Sequence, residues 1–486
     1  MNKKENVFQC MTWKFLERLG AQLVTLGVSV ILARLLSPED YGLISIVTVL
    51  ITIANVFVAD GFGSALIQKK KVDAVDYSSV LYANLLFSAL LYVVLFISAP
   101  AISAFYGEGY ELLTPIIRIL GIRVILAGAN SVQQAYISRN MLFRLSFYSS
   151  MIGTVISAVV GIWMACSGYG VWAIVAQYLV NTTISTFVLV ILIKKKPLLQ
   201  ISLARLKELL QYGIKILGAN LLITGYQEVR SLIIGKMYSA SDLAYYDRGK
   251  QFPSLVVTNI NESIGAVLFP RMSVQQDDID KLRASTCSSI RFSTYIMAPL
   301  MLGLAAVAEP FVSFLLTDKW LPCIPFLRVF CVIYLFQPIH TANMQAIKAL
   351  GRSDVYLKLE IIKKGIELIT LLIVMWISVE AIVISMAVLT TVFTVINAYP
   401  NKKLLNYTLA EQIKDILPTL VMAGFMAICV YYVGLIQIGL MSKLILQIVS
   451  GVVIYVSLSY ATKNEQFIYL VGIGKQLLSS RLRRLR

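Results

Sequence analysis

Residues 41–67 read YGLISIVTVLITIANVFVADGFGSALI, 27 positions whose only side chain charged at neutral pH is Asp60. At 1.5 Å per residue, a helix of about 20 apolar residues crosses the hydrocarbon core of a bilayer, so this run is long enough to span. Lipid offers no partner to a backbone amide, which leaves a helix or a closed barrel. The run is too long and too continuously apolar for a barrel strand.

The same ruler laid along the chain finds about fourteen candidate spans: 13–36, 41–67, 78–103, 112–138, 146–166, 170–193, 212–236, 244–269, 284–308, 322–347, 359–377, 380–398, 416–434 and 444–461. Composition agrees. The 486 residues are 58% hydrophobic and 14% charged, with mean hydropathy +0.76 and formal net charge +17. A soluble domain is nearer a quarter charged and a disordered chain is poor in apolar residues, so neither class fits. In so apolar a chain the basic excess points to anionic lipid or an anionic membrane substrate rather than nucleic acid. The fold class is an all-α polytopic membrane protein, with the N-terminal apolar stretch kept as a first helix because it carries Glu17, Arg18 and Arg34.

Sidedness follows from Lys and Arg in the connections. With the N-terminus inside, the inside segments hold 29 of the 43 cations. These include Lys69–Lys71, Lys194–Lys196, Arg205, Lys348, Lys358, Lys363, Lys364 and the Arg-rich tail, against Lys319 and Lys443 outside. Both termini are expected in the cytoplasm and the protein in the plasma (inner) membrane.

With Lys363 and Lys364, at the head of 359–377, counted in the connection before it, 12 cations remain inside the assigned spans: Lys14, Arg18, Arg34, Arg118, Arg123, Lys215, Arg230, Lys236, Arg248, Lys250, Arg291 and Arg328. About six acids accompany them: Glu17, Asp60, Glu228, Asp247, Glu262 and Glu367. Lys14, Arg34, Lys236, Arg248 and Lys250 lie near span ends, where long side chains reach the interface. Charges at depth are costly and face a bundle interior or water-filled cavity. Arg18, Arg118, Arg123, Lys215, Arg230, Arg248, Arg291 and Arg328 are therefore the candidates to hold an anion. Polar stripes accompany them: Arg18, Gln22, Thr25 and Ser29; Arg123, Asn130 and Gln134; Arg248, Gln251, Thr258 and Glu262; Gln337, Thr341, Gln345 and Lys348. Such stripes glue helices together or line a hydrated path.

The chain repeats at a separation of about 200 residues. LGAQL at 19–23 answers LGANL at 217–221, and SPEDYG from Ser37 answers SASDLA from Ser239. Pro115-x-x-Arg118 answers Pro325-x-x-Arg328, and Gln134-Ala135 answers Gln345-Ala346. Each half holds an even number of spans, so the repeats run parallel, and transporters of this type place substrate between them. The expected organisation is an N-lobe (1–196, spans 1–6), a C-lobe (197–403, spans 7–12), a C-terminal helix pair (404–462, spans 13–14) and a basic cytoplasmic tail (463–486).

The runs Ala33-Arg34-Leu35-Leu36-Ser37-Pro38-Glu39-Asp40-Tyr41-Gly42 and Asp60-Gly61-Phe62-Gly63-Ser64-Ala65-Leu66-Ile67-Gln68 resemble those of a known family. It is the polysaccharide transporter branch, the Wzx-type oligosaccharide and O-unit flippases, of the multidrug/oligosaccharidyl-lipid/polysaccharide flippase superfamily. The resemblance implies two six-helix lobes around a central cavity, with two further helices. It also implies export of undecaprenyl-diphosphate-linked oligosaccharide to the outer leaflet. In such a protein basic cavity residues hold the diphosphate, Arg18 and the group opening the eighth span being the positional matches. Gln22, Asn130, Gln134, Gln251, Gln337 and Gln345 are candidate sugar contacts.

No GxxxxGK[ST] nucleotide loop is present. An H+ or Na+ gradient is then the expected driving force, with Glu17, Asp60, Glu228 and Glu262 either coupling groups or static counter-ions. His340, the single histidine, reads as a hydrogen-bonded structural residue, and the six cysteines read as small buried hydrophobes. No cofactor is expected. Partners are the polyprenyl-diphosphate-linked oligosaccharide, anionic lipids and polysaccharide assembly machinery. A lipid II flippase, or a drug/cation antiporter of the same superfamily, is the alternative. A polymerase or glycosyltransferase would carry a longer outside loop than the dozen residues around 309–321.

Overall fold

The computed structural model describes residues 7–59, 62–69, 72–193 and 200–472, and among these the chain is helical with no strand. In order the helices are α1 (Val7–Leu35), α2 (Pro38–Ala59), α3 (Phe62–Gln68), α4 (Ala74–Tyr106), α5 (Leu113–Leu120), α6 (Ile122–Asn140), α7 (Phe143–Cys166), α8 (Val171–Ile193) and α9 (Leu203–Met237). They continue as α10 (Ala240–Val274), α11 (Ile279–Ala306), α12 (Ala308–Leu316), α13 (Ile324–Leu335), α14 (Gln337–Ala349), α15 (Ser353–Val374), α16 (Val379–Leu404), α17 (Leu409–Val433) and α18 (Leu440–Ala461).

Among the described residues, ten helical segments are long and apolar enough to cross a membrane, two of them built from consecutive helices: Leu113–Asn140 and Asp318–Ala349. Four further helices, α1, α9, α10 and α15, are 22 to 35 residues long and carry several charges each. They coincide with the first, seventh, eighth and eleventh spans expected from sequence. Where the sequence led us to expect a continuous fourth span, the chain breaks between α5 and α6 at Gly121, and the tenth breaks at Phe336. The segment around 309–321, expected from sequence as an outside loop, is not an open loop: α12 and a 3-10 turn, Asp318–Cys323, occupy it.

Local chemistry fixes the helix starts. Asp73 and Asp76 form a reciprocal capping box on α4, and Thr408 and Glu411 do so on α17. The repeated motif is another: Ser37 Oγ donates to Asp40 Oδ2 at 2.8 Å while Asp40 N returns to Ser37 Oγ at 3.1 Å. At the second copy Ser239 Oγ donates to Asp242 Oδ2 at 2.6 Å and Asp242 N returns at 3.0 Å. The sequence repeat is thus the same helix-start device used twice, at α2 and α10.

Two compact units make up the chain, Met1–Ala244 and Tyr245–Arg486. In the first, α7 packs against both α1 and α8, and α9 lies on α2, α3 and α4. Small residues allow the close approach favoured between helices in lipid: a Cβ added at Gly153 on α7 would sit 2.0 Å from Ser185 Oγ on α8. Buried polar groups pair across helices, as Asn84 Nδ2 does with Ser131 Oγ at 2.8 Å. In the second unit α11 packs on α13, α14 and α17, and α16 on α13, α14 and α15. A fully buried amide knot joins α14, α16 and α17. Asn343 Nδ2 donates to Gln412 Oε1 at 2.8 Å, while Asn343 Oδ1 accepts from Asn401 Nδ2 at 2.6 Å and from Gln412 Nε2 at 3.2 Å. Outward-facing apolar side chains such as Leu86, Ile97, Trp376 and Tyr460 remain exposed in the chain alone, as a lipid-facing surface would be.

Candidate functional site

The polar stripe on α14 lines a cavity within the second unit. About 440 Å³ in volume, it is bounded by Gln337, His340, Thr341, Gln345 and Lys348 of α14, by Glu360, Lys363, Lys364 and Glu367 of α15, and by Thr390 and Asn397 of α16. Ion pairs within α15 neutralise two of its cations: Lys363 Nζ meets Glu360 Oε1 at 2.6 Å and Lys364 Nζ meets Glu367 Oε2 at 2.9 Å. Lys348 instead lies over the ring of Tyr356, 4.3 Å from its centroid. Three lysines face two glutamates, so the lining carries one net positive charge beside a row of amides and hydroxyls. This combination suits an anionic, hydroxyl-rich ligand.

By charge counting Lys348, Lys363 and Lys364 belong to the connections that orient the chain, although Lys348 also continues the polar stripe of the tenth span. Lys363 and Lys364 lie halfway along α15, and their spacing could have revealed this, since Glu360-x-x-Lys363 and Lys364-x-x-Glu367 are i, i+3 pairs on a helix. His340 is held between Asn397 Nδ2, 2.7 Å from Nδ1, and Thr394 Oγ1, 3.2 Å from Nε2. It is the hydrogen-bonded residue the sequence led us to expect.

In the first unit, Arg123 lies ten residues into the segment Leu113–Asn140, about 15 Å from its start. Its Nε donates to Thr182 Oγ1 at 3.1 Å, and its guanidinium covers the Tyr178 ring at 5.0 Å. Both contacts are neutral. Asn130, on the same helix, has an Oδ1 that is buried without a hydrogen-bond partner, while Gln134 and, on α1, Gln22 are half-buried.

Arg118 and Arg328 occupy equivalent places in the two repeats and do equivalent things. Arg118 Nε reaches Phe96 O on α4 at 3.4 Å, and Arg328 Nε reaches Ala305 O on α11 at 3.4 Å. Phe96 O is the carbonyl that Pro100, lacking an N–H, leaves open in α4.

Arg248 is buried, with Nη1 donating to Gln251 Oε1 at 2.6 Å and the guanidinium 5.2 Å from the Trp320 ring centroid. Arg291 meets Asp415 Oδ1 at 2.6 Å and Glu465 Oε2 at 3.5 Å. Neither acid was among the six counted with the embedded cations, because Asp415 falls one residue before the assigned thirteenth span. The surplus was therefore overcounted at Arg291. Glu17 accepts from Lys14 Nζ at 3.0 Å and from Ser146 Oγ at 2.8 Å on α7, the arrangement of a counter-ion. Glu228 and Arg230 are half-buried on α9. Asp60 and the side chains of Arg18, Lys215 and Glu262 lie outside the described residues. Of the cysteines, Cys323 and Cys331 are buried, Cys287 and Cys429 half-buried, and Cys166 exposed against expectation.

Comparison with known proteins identifies what this fold belongs to. The family model described as polysaccharide biosynthesis protein matches residues 31–325. The succinoglycan biosynthesis transport protein ExoT of Rhizobium meliloti (strain 1021) is 25% identical over 63% of this chain, and the match spans 62% of ExoT's own length. The lipopolysaccharide biosynthesis protein WzxC of Escherichia coli (strain K12) is 22% identical over 75% of this chain and 74% of that protein. Among solved structures, the lipid II flippase MurJ in an inward closed conformation superposes with a TM-score of 0.75 at 14% identity, covering 93% of this chain and 98% of MurJ. The all-helical fold is therefore shared with MurJ, and this multi-pass membrane protein belongs to the family described as polysaccharide biosynthesis protein.

Proposed function

We propose that the protein moves a polyprenyl-diphosphate-linked oligosaccharide from the cytoplasmic to the outer leaflet of the inner membrane, for assembly into surface polysaccharide, with both termini cytoplasmic. The observation that carries this reading is Arg123: a guanidinium at the depth of the membrane core whose contacts are a hydroxyl and an aromatic face. A cation so placed favours an anionic guest, and a diphosphate accepts the two-pronged hydrogen bonds that arginine offers. The cavity of α14, α15 and α16 adds amides and hydroxyls for a sugar, with Lys348 as its unneutralised charge. A prenyl tail need not enter either place, since it is at home in lipid. Movement of the charged head is driven in this reading by an H+ or Na+ gradient, with Glu228 and Glu262 as the groups to test for coupling.

The test is replacement of Arg123 by Gln and of Lys348 by Gln in the host. Surface polysaccharide should fall at least tenfold while the membrane level of the protein is kept, and Arg123→Lys should restore part of it. Normal export by both variants would refute the cationic path. Reconstitution with labelled lipid-linked oligosaccharide in one arm and lipid II in another distinguishes the two flippase readings.

A further inference from the structure

Helix α9 is held at its two ends by contacts of opposite character. Near its C-terminus the packing is close and dry. Tyr110 Oη donates to Gly235 O at 2.8 Å, Lys236 Nζ reaches Phe105 O, and Ile234, Ala240, Leu243 and Ile46 are buried around them. Backbones touch directly there: a Cβ added to Gly42 would lie 1.8 Å from Ala240 O, so no side chain fits between α2 and the start of α10. Lys236 is exposed, whereas the Tyr110–Gly235 bond and the Gly42–Ala240 contact are buried away from water.

Toward the α9 N-terminus the contacts are ionic and mostly wet. Arg205 Nη1 meets Asp73 Oδ1 at 2.5 Å and Asp76 Oδ1 at 3.4 Å, while Lys69 Nζ meets Asp76 Oδ1 at 3.3 Å and Glu208 Oε2 at 3.0 Å. Arg205, Asp73 and Glu208 are exposed; only Asp76 is buried. Exposed ion pairs contribute little and exchange readily. Ser202 N donates to Ser79 Oγ at 2.9 Å, and two leucines of α9, the buried Leu209 and the partly buried Leu206, join the small cluster of Ala65, Leu66, Val80, Val132 and Ala135.

We propose that Lys69, Asp76, Arg205 and Glu208 form an ion-pair latch, and that α9 pivots about its Gly235 end when the latch opens. The inference rests on the transport reading for its purpose, though not for its geometry. A rigid helix of 35 residues anchored at one end is a lever. From Gly235 to Arg205 is about 45 Å along the axis, so a 10° tilt moves the latch end by about 8 Å. That movement separates α9 from the α3–α4 turn and opens the face of the membrane that carries the turn. The two ends thus divide the work of alternating access: one supplies a fixed bearing, the other a reversible closure.

The distance is measured directly with nitroxide labels on Ala74→Cys and Leu203→Cys, both exposed positions on the two sides of the latch. The labels are attached in a background without native cysteines, in lipid nanodiscs. Pulsed dipolar spectroscopy should give a dominant short distance and a minor component about 8 Å longer or more. The Lys69→Gln/Arg205→Gln pair should raise the long component at least threefold, Arg205→Lys should leave it near the starting value, and Tyr110→Phe at the bearing should not raise it. A single short distance in every variant, or a long component indifferent to Lys69 and Arg205, overturns the latch. No substrate is needed for this measurement, so its failure leaves the export assay standing, and failure of export leaves the distance result standing.

Discussion

Asn343→Ala removes the centre of the amide knot that fastens α17 to α14 and α16. Asn343 is fully buried, as are Asn401 and Gln412, so water cannot replace what the substitution takes away. Gln412 Oε1 loses the donor at 2.8 Å. Asn401 Nδ2 keeps only its 3.3 Å contact with the Asn343 carbonyl, and Gln412 Nε2 keeps only its 3.5 Å contact with Tyr407 O. One orphaned acceptor costs about 1–3 kcal/mol and two weakened donors add a fraction of that, giving about 3 kcal/mol in all. For a unit of this size that corresponds to a fall in Tm of about 6–12 °C. Unfolding can be followed in detergent with a thiol-reactive fluorophore, since Cys323 and Cys331 are buried in the same unit and become reactive only when it opens. Asn343→Leu combined with Gln412→Leu should be less destabilised than the sum of the single changes, because both partners of the main bond are then apolar. A Tm shift under 2 °C for Asn343→Ala, or strict additivity in the double variant, would refute the argument that the knot holds α17.

Two further outcomes follow from other contacts. Tyr455 Oη donates at 2.9 Å to Tyr295 O, the carbonyl that Pro299 leaves open in α11, so Tyr455→Phe should cost about 1–2 kcal/mol. In a Pro299→Ala background, where an N–H returns to that carbonyl, the same change should cost markedly less by the same thermal assay. Arg205 beside Asp73 holds its carboxyl down, from an ordinary 3.8 to about 2, so the stabilisation it brings is fully present above the unfolded value and disappears as pH falls through about 2. Between pH 8 and 5 the latch distance should therefore not respond to Asp73, and a shift that Asp73→Asn abolishes in that range would contradict the pairing.

The membrane fold was legible in the sequence because the run 41–67 and its fellows satisfy a length and polarity requirement that few other folds meet. The repeat was legible as well, since Ser37–Asp40 and Ser239–Asp242 perform one capping function in two places. Less readable was the division of charge. Lys363 sits in a connection by the counting of cations and in a cavity wall by the geometry of α15, because charge counting registers distance along the chain and not helix face. Arg118 and Arg328, expected from sequence to hold an anion, each also reach a helix carbonyl that only the three-dimensional course of α4 or α11 brings near. The breaks at Gly121 and Phe336 were missed because hydrophobicity stays high through both.

The placement of α9 on α2, α3 and α4 has a consequence for how the protein is made. A ribosome adds about 5–20 residues per second, so α2 and α4 emerge well before α9 exists to cover them. The first unit closes only when synthesis has passed Ala244. Until then Gly42 and Tyr110 lack their partners and the pairing groups of Lys69 and Asp76 are incomplete. That flank stays uncovered during the interval, and a ribosome stalled between residues 200 and 244 should leave an intermediate more open to membrane proteases than the finished unit.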